Sequence, residues 1–307
     1  MKCYIWGAAL YGKRAFSYVK DNFEIEGFID KKAEKEKIKF CEHDVIKPYK
    51  AFEILKNKKD ICVIIAVRFP SEILQNLQEQ SINNKVYIFD ARNKDSLLLY
   101  EVKNGEICIP EYMDKRYLEC DEYFLNYTEL DKFEKGKFDK ALSILNKHYN
   151  QENIFEIGCG SGQFANMLFD NGYKNYTGID FSKNAIKLAI KANSEHKSNF
   201  LTGDVFDFLG KKHDEFSSTI FIAFEVLEHI KKDMELLSVL KNIGGKGVLF
   251  SVPSFKSFNH LRTFKDLSEI KKRYDMLNIM EYFSLPASKI DKSKIFHIVY
   301  ANFDWEV

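Results

Sequence analysis

The sequence predicts an α/β protein made of two successive units, each built on a parallel sheet. Two observations predict this class. Short apolar strands alternate with helices in residues 1–95, and the same alternation returns after residue 150. In both units a glycine-rich turn separates a strand from the next helix. A chain of 307 residues is long enough to bury two separate cores.

The first unit spans residues 1–95. We expect strands at residues 3–6, 26–30, 62–67 and 86–89, and helices up to residue 19 and over residues 71–80. Gly7 and Gly12 match the outer glycines of the dinucleotide fingerprint, but Ala9 replaces the middle glycine, and its methyl group hinders a pyrophosphate. The sequence therefore predicts a Rossmann-like unit. It leaves open whether this unit binds a ligand or only serves as a docking domain.

Residues 96–135 are interpreted as a connecting region. They contain Gly105, Pro110 and a dense group of aromatic residues. Such rings could cover a cofactor, stack on a substrate or pack in a core, and the sequence leaves these alternatives open. The aromatic residues are Tyr112, Tyr117, Tyr123, Phe124 and Tyr127.

The second unit is organised around residues 153–162, which read Asn-Ile-Phe-Glu-Ile-Gly-Cys-Gly-Ser-Gly. A strand that ends in glycines and leads into a helix brings backbone N–H groups and the positive helix end to one point. Glu156 would repel a phosphate and attract an ammonium group. Gln163 stands where the dinucleotide fingerprint needs its third glycine, and a P-loop lysine is absent. Unless the stretch is a plain turn, it favours a ligand with a cationic amino-acid end, such as S-adenosylmethionine.

Later elements add further polar groups in order along the chain. A strand over residues 176–180 ends at Asp180, about 20 residues past the glycines, where an acid can accept hydrogen bonds from ribose hydroxyls. Asp204 follows the next short strand and could accept from an exocyclic amino group. Further strands are expected at residues 219–224 and 247–252. Two closing strands, at residues 279–285 and 296–303, can pair antiparallel.

These motifs, in this order, resemble the class I S-adenosylmethionine-dependent methyltransferase family over roughly residues 120–307. The resemblance implies a seven-stranded doubly wound sheet with one reversed strand, S-adenosylmethionine as cofactor, and a catalytic domain over residues 136–307. It implies that Glu156 and the three glycines hold the methionine end, that Asp180 binds the ribose, and that Asp204 contacts the adenine. The cofactor residues expected from the resemblance are Glu156, Gly158, Cys159, Gly160, Gly162, Asp180, Phe181, Asp204, Val205 and Phe224.

Glu225, Glu228 and His229 follow the fourth strand of this unit, at the i, i+3 and i+4 positions of a predicted helix start. Side chains of these types bind a divalent cation or accept a proton. The arrangement resembles that of metal-assisted O-methyltransferases of quinone biosynthesis and of small-RNA 3′ ends. In the latter a further histidine completes the metal site, and His260 is the candidate here. Methyltransferases without a metal also carry this arrangement, so the sequence leaves open whether a metal is bound. In them Glu225 would cap the helix, and His229 would serve as a base or pack structurally.

Histidines on this side of the sheet favour a hydroxyl acceptor, because an alcohol has a high pKa and needs a base. His229, His260 and Glu225 are the candidate catalytic residues. The segment of residues 252–264 resembles that of bacterial methyltransferases of surface-polysaccharide pathways. Gly7, Gly12 and Asp30 are similar to the N-terminal domain of sugar O-acyltransferases. We therefore expect an O-methyltransferase that acts on a sugar or sugar-linked hydroxyl. The alternatives are a metal-assisted O-methyltransferase that acts on another small molecule or on RNA ribose, and a catalytically idle binding protein with a methyltransferase fold.

Composition limits the partners. The chain has 46 basic and 45 acidic residues, so no long-range field indicates a nucleic acid partner. No apolar run approaches the roughly 20 residues that cross a bilayer, and the first residues do not read as a secretory signal. The six cysteines form no C-x-x-C pair, which is typical of a reducing compartment. These features predict a cytoplasmic protein.

Overall fold

The computed structural model of the protein describes residues 1–33, 38–90, 97–103, 110–119, 121–149, 152–210, 216–287 and 291–303. The chain divides into two compact units. The first comprises Met1–Ile109 and Ser257–Leu261, and the second comprises Pro110–Lys256 and Arg262–Val307. Each unit is built on a sheet of seven strands, which confirms the α/β class.

The first unit is a mixed sheet with helices between its strands. The strand order is β3-β4-β2-β1-β5-β6-β7, in which the five inner strands are parallel and the two edge strands, β3 and β7, are antiparallel. The inner strand β5 is buried along its whole length, as expected for a parallel strand between two others. The elements are β1 (Lys2–Trp6), α1 (Leu10–Val19), β2 (Glu24–Ile29), β3 (Lys39–Phe40), β4 (His43–Ile46), α2 (Pro48–Asn57), β5 (Ile61–Ile65), α3 (Ser71–Glu79), β6 (Val86–Asp90) and β7 (Leu98–Glu101).

The boundaries of the first unit differ from those predicted. The predicted end at residue 95 falls before β7, which pairs antiparallel with β6. The predicted connecting region, residues 96–135, therefore contains a strand of the first sheet, and it also contains helices of the second unit. The reason is that an apolar run of four residues does not distinguish an edge strand from a connector. Gly105 lies outside the described residues.

The second unit has the strand order β10-β9-β8-β11-β12-β14-β13, with β14 antiparallel to both of its neighbours. The predicted sheet with one reversed strand is confirmed. Its elements are α4 (Pro110–Glu119), α5 (Lys132–His148), β8 (Ile154–Ile157), α6 (Gln163–Asp170), β9 (Tyr176–Asp180), α7 (Lys183–Ala192), β10 (Phe200–Thr202), α8 (Val205–Leu209), β11 (Ile220–Phe224), α9 (Asp233–Asn242), β12 (Gly247–Pro253), α10 (Leu267–Arg273), β13 (Asn278–Pro286) and β14 (Ile295–Asn302), with 3-10 helices at Asp121–Phe124, Tyr127–Glu129 and Ser194–Asn199.

Apolar side chains cover both faces of this second sheet. Helices α5, α6 and α7 pack on one face, and α9 and α10 pack on the other. The chain adds strands outward from β8 through β9 to β10, and then returns to β11 on the opposite side of β8. Ligands of open α/β sheets bind at such a reversal, beyond the carboxyl ends of the strands. The fold therefore directs attention to the ends of β8, β9 and β11.

Among the described residues, no helix combines the length and the apolar character needed to span a bilayer. Cys3, Cys41, Cys62 and Cys159 are free thiols. Cys108 and Cys120 lie outside the described residues.

Candidate functional site

The loop after β8 is a tight turn of glycines. Gly158, Gly160 and Gly162 have φ angles of 68°, 53° and 74°, in the left-handed region that side chains other than glycine rarely adopt. Gly162 is the residue that precedes α6, and its N–H donates to the carbonyl of Cys159 at 3.0 Å. The three glycines singled out in the sequence thus form one turn at the carboxyl end of β8.

Asp180, at the end of β9, is bonded to this turn. Its carboxylate accepts hydrogen bonds from the N–H of Gly160 at 3.0 Å and from the N–H of Ser182 at 2.8 Å. Burial raises the pKa of Asp180 to about 6, although both N–H donors act in the opposite direction. The structure therefore brings together the predicted ribose acid and the predicted methionine loop.

Glu156 lies inside the protein, one residue before the end of β8. Its side chain is 4% exposed and accepts a hydrogen bond from the hydroxyl of Tyr176 at 2.5 Å. Burial raises the pKa of Glu156 to about 8, and the charge of Asp180 acts in the same direction. Glu156 therefore holds a proton at neutral pH in the absence of a nearby cation, and an adjacent ammonium group would favour its release.

Two other predicted cofactor residues, Cys159 and Phe224, are buried. Cys159 is buried against Gly178, and burial raises the pKa of its thiol well above the usual range, so it is a packing residue and not a nucleophile. Phe224 is buried too, and its ring packs at 4.9 Å from the ring of Phe164 in the core. Its predicted role as a wall of the cofactor site stays a prediction.

Asp204 is exposed and caps α8. Its carboxylate accepts from the N–H groups of Phe206 at 2.8 Å and Asp207 at 3.1 Å. Phe181 follows the last residue of β9, and Val205 follows Asp204. Both are partly buried. These positions lie beyond the carboxyl ends of β9 and β10, on the side of the sheet where the resemblance placed the adenosine.

Two residues of helix α4 contact the glycine loop and the start of α7, and the sequence predicted neither contact. A Cβ atom added at Gly160 would lie 2.9 Å from the hydroxyl oxygen of Tyr117. Asp114 accepts hydrogen bonds from the hydroxyl of Ser182 at 2.5 Å and the N–H of Asn184 at 3.1 Å. The aromatic cluster was the one sequence signal for Tyr117, and no signal pointed to Asp114.

The residues after β11 form a turn, so the predicted helix start at Glu225 is wrong. Glu225 has a φ of 55°, and α9 begins only at Asp233. A left-handed non-glycine residue is strained, and such residues cluster at functional sites. Ser251 holds Glu225 in place, because its hydroxyl accepts from the N–H of Glu225 at 3.0 Å and donates to its carboxylate at 2.7 Å. The turn also touches the glycine loop: a Cβ atom at Gly158 would lie 2.5 Å from a methyl carbon of Val226.

Although there is no helix, the turn still gathers the three predicted side chains. Glu228 is fully buried, and neither of its carboxyl oxygens accepts a hydrogen bond from the described residues. Burial and the charge of Glu225 raise the pKa of Glu228 well above its usual range. His229 places its Nε2 atom 4.0 Å from a carboxyl oxygen of Glu228. A buried carboxyl group without donors is costly, and a proton or a cation would satisfy it.

Arg262 braces the same turn. Its guanidinium group donates to the carbonyl of Leu227 and, at 2.6 Å, to that of Ile230. Asp233 lies 3.3 Å from the Arg262 guanidinium and also accepts two hydrogen bonds of 2.7 Å from Arg273. The brace fixes the backbone around Glu228 and His229. Nothing in the sequence indicated this contact.

His260 belongs to the segment Ser257–Leu261 of the first unit. The residue is 8% exposed, and its backbone carbonyl accepts a hydrogen bond from the hydroxyl of Ser71. Its predicted role as a base or a metal ligand stays a prediction.

Residues 155–250, from β8 into β12, match the family described as Methyltransferase domain. Residues 155–250 therefore form a methyltransferase domain. The matched residues include the glycine loop, Asp180, Asp204 and the turn after β11.

Several known proteins are similar to part of this chain. The eEF1A lysine and N-terminal methyltransferase of Xenopus laevis is 26% identical over 103 residues, which are 33% of this chain and 14% of that protein. The chain thus spans only a small part of this curated relative. A solved structure of magnesium protoporphyrin IX methyltransferase from Synechocystis PCC 6803, with bound S-adenosylmethionine, has 16% identity and a TM-score of 0.47, and the similarity covers 66% of this chain and 100% of that one. The N-methyltransferase NodS from Bradyrhizobium japonicum WM9 has 16% identity and a TM-score of 0.46, with 63% and 98% covered.

Proposed function

We propose that S-adenosylmethionine binds across the carboxyl ends of β8, β9 and β10 of the methyltransferase domain. Its amino-acid end lies on the loop of residues 158–162, where backbone N–H groups and the start of α6 favour a carboxylate. Glu156 releases its proton to balance the ammonium group, Asp180 accepts from the ribose, and Asp204 with Val205 borders the adenine. When bound, the cofactor supplies a methyl group on a sulfonium centre, which is open to in-line displacement.

The acceptor in this proposal is a hydroxyl group. The observation that supports it is the turn after β11, which holds proton-accepting groups against the glycine loop through the contact between Gly158 and Val226. Transfer to a hydroxyl needs a base, whereas an amine or a carbon nucleophile needs less help. His229 takes the proton, and a carboxyl oxygen of the buried Glu228 lies 4.0 Å from its Nε2 atom. Glu225 and His260 are the further candidates for this step.

The acceptor class that we propose is a sugar or sugar-linked hydroxyl of surface-polysaccharide biosynthesis, and the first unit helps to present it. The support comes from the Rossmann-like turn of that unit. Gly7 has a φ of 121°, and Asp30, at the end of β2, accepts from the N–H of Ala8 at 2.9 Å. A Cβ atom at Gly12 would lie 1.8 Å from the carbonyl oxygen of Gly7. Only a residue without a side chain therefore lets the first turn of α1 approach Gly7 this closely.

Mass spectrometry tests the acceptor. The full-length protein is incubated with S-adenosylmethionine and a panel of nucleotide-linked sugars, and in parallel with amino sugars and simple amines. We expect S-adenosylhomocysteine to form together with a nucleotide sugar that has gained one methyl group on oxygen. Methylation of nitrogen in the amine panel, with no reaction of any hydroxyl, would refute the hydroxyl proposal.

A divalent metal ion is a second candidate at the same turn. The side chains at this turn fit such an ion: Glu228 is a buried carboxyl group that accepts no hydrogen bond from the described residues, and His229 lies beside it. Glu225, Glu228 and His229 would hold the ion, with His260 as the candidate from the sequence. A metal would supply acidification of the acceptor hydroxyl. Calorimetric titration of the full-length protein with Mn²⁺, repeated on Glu228→Gln, tests this, and absence of binding to the unsubstituted protein would exclude a tight Mn²⁺ site.

A further inference from the structure

Residues 110–119 and 121–130, which we name the strap, are attached to the start of α7. Asp114 of the strap accepts hydrogen bonds from the hydroxyl of Ser182 at 2.5 Å and from the N–H of Asn184 at 3.1 Å. Its backbone carbonyl also accepts from the side-chain amide of Asn184 at 3.3 Å. Ser182 and Asn184 lie two and four residues after Asp180. This end of the strap is therefore fixed beside the ribose acid.

The other end of the strap is attached to the first turns of α6. The side-chain amide of Gln163 donates to the carbonyl of Leu125 at 3.0 Å. The side-chain amide of Asn126 donates to that of Asn166 at 2.6 Å. Helix α6 begins directly after the glycine loop. The strap thus runs from the start of α7 to the start of α6, and these two starts flank the loop.

Tyr117 lies between the two attachments and over the loop. Its hydroxyl oxygen is 2.9 Å, and its Cζ atom 3.7 Å, from the position that a Cβ atom of Gly160 would take. The ring centroid lies 4.4 Å from that of Tyr123, and Tyr117 is only 7% exposed. A buried tyrosine hydroxyl needs a polar environment, and the glycine loop provides one. Gly160 is therefore constrained twice, by its left-handed backbone and by the phenol above it.

The chemistry of the loop indicates which ligand group a phenol here would meet. Backbone N–H groups and the positive end of α6 attract an anion, and the amino-acid end of the cofactor carries a carboxylate. A phenol O–H can donate to that carboxylate, and a hydrogen bond to a charged group is stronger than one between neutral groups. We propose that Tyr117 is a cofactor-binding residue: its hydroxyl donates to the carboxylate of the amino-acid end, and the strap covers that end. This inference rests on the proposed cofactor site.

Calorimetry on the full-length protein tests the inference without knowledge of the acceptor. Two probes are used: S-adenosylhomocysteine, which has the amino-acid end, and 5′-methylthioadenosine, which lacks it. For Tyr117→Phe we expect the Kd of S-adenosylhomocysteine to rise about 10- to 150-fold, the usual effect of one hydrogen bond to a charged group. The Kd of 5′-methylthioadenosine should change less than about twofold, because this ligand has no carboxylate.

Tyr173→Phe is the matched control. Tyr173 is also a buried residue, and its hydroxyl donates to the side chain of Asn146 at 2.7 Å, but it lies before β9 at the opposite end of the strands. This variant should bind both probes as the unsubstituted protein does. Unchanged S-adenosylhomocysteine affinity in Tyr117→Phe, or equal weakening of both probes, would overturn the role of Tyr117. If the unsubstituted protein binds neither probe, the cofactor site itself is wrong, which is a separate result.

Discussion

The carboxylate of Asp180 accepts a hydrogen bond from the N–H of Gly160 at 3.0 Å, across 20 residues of sequence. The same carboxylate accepts from Ser182, whose hydroxyl in turn donates to Asp114. One acid therefore connects the glycine loop, the start of α7 and the strap. A change at Asp180 affects ribose binding directly and the loop that holds the methionine end indirectly.

Asp180→Asn should weaken binding of S-adenosylhomocysteine by about 1–3 kcal/mol. The amide keeps an acceptor oxygen for the backbone but loses the charge that strengthens hydrogen bonds from the ribose. Calorimetry at neutral pH measures the difference. Asp207→Asn, an exposed acid in the first turn of α8, is the control and should leave the affinity unchanged. Equal affinities of Asp180→Asn and the unsubstituted protein would remove Asp180 from the site.

The same acid predicts a pH dependence of binding. Burial raises the pKa of Asp180 to about 6, and ribose donors favour its ionised form. The affinity for S-adenosylhomocysteine should therefore fall as the pH is lowered from 7 through 6, because a proton competes with the ribose. The difference in affinity between the unsubstituted protein and Asp180→Asn should shrink over the same interval. A constant difference from pH 5 to pH 7.5 would contradict the assignment.

Glu156 predicts an effect on stability in the absence of ligand. Its folded-state pKa is raised from 4.5 to about 8 by burial, so between these pH values the unfolded chain has lost a proton that the folded chain keeps. The stability that this bound proton contributes to the folded protein is fully present below about pH 4.5 and is lost as the pH rises through 8. Glu156→Gln keeps an acceptor for Tyr176 and has no proton to lose. Its free energy of unfolding should exceed that of the unsubstituted protein at pH 8, by on the order of 1–4 kcal/mol.

Urea unfolding of both proteins at pH 5 and pH 8 measures this effect. At pH 5 the two curves should lie close together, because the folded protein is protonated there and most of the difference has not yet developed. If the gap between the variant and the unsubstituted protein is the same at both pH values, Glu156 does not carry a raised pKa. The variant should also bind S-adenosylhomocysteine more weakly, since it cannot become an anion beside the ammonium group.

The parts of the structure that the sequence predicted depend on local signals. The order of strands and helices follows from apolar runs and from the glycines, and the turn at Gly158, Gly160 and Gly162 needs a backbone that only glycine adopts readily. The position of Asp180 follows from its place at a strand end. Each of these inferences needs only residues that are close together in the chain.

The features that were missed depend on contacts between distant residues or on backbone strain. Asp114 is bonded to Ser182, 68 residues away, and no pattern near Asp114 indicates that partner. Glu225 has a left-handed backbone that its side chain does not favour, so a helix start was the better local interpretation. Tertiary contacts with Ser251 and Arg262 maintain the turn, and the sequence gives no sign of either.

The attachment of the strap predicts a kinetic effect. Asp114→Ala removes the acceptor of both Ser182 and Asn184, which frees one end of the strap. If the strap covers the bound cofactor, S-adenosylhomocysteine should dissociate faster by about tenfold, the equivalent of roughly 1.4 kcal/mol. Stopped-flow displacement measures the rate. Asp114→Asn keeps an acceptor oxygen and should show a smaller change, whereas an unchanged rate in Asp114→Ala would mean that the strap does not limit release.

The proposed base is tested last, with the acceptor that the nucleotide-sugar panel identifies. His229→Ala should lower turnover by ~10²–10⁴, the usual contribution of a general base, and should leave the affinity for S-adenosylhomocysteine unchanged because His229 lies on the turn after β11 and not in the glycine loop. The control is His196→Ala, since this histidine stacks on Phe169 at 3.8 Å in a 3-10 helix far along the chain from that turn.

A metal role for His229 can be distinguished from a role as base: a chelator would then abolish activity, and added Mg²⁺ or Mn²⁺ would restore it. If His229→Ala turns over the acceptor at a near-normal rate, with or without a chelator, His229 is neither base nor ligand, and the turn serves packing alone.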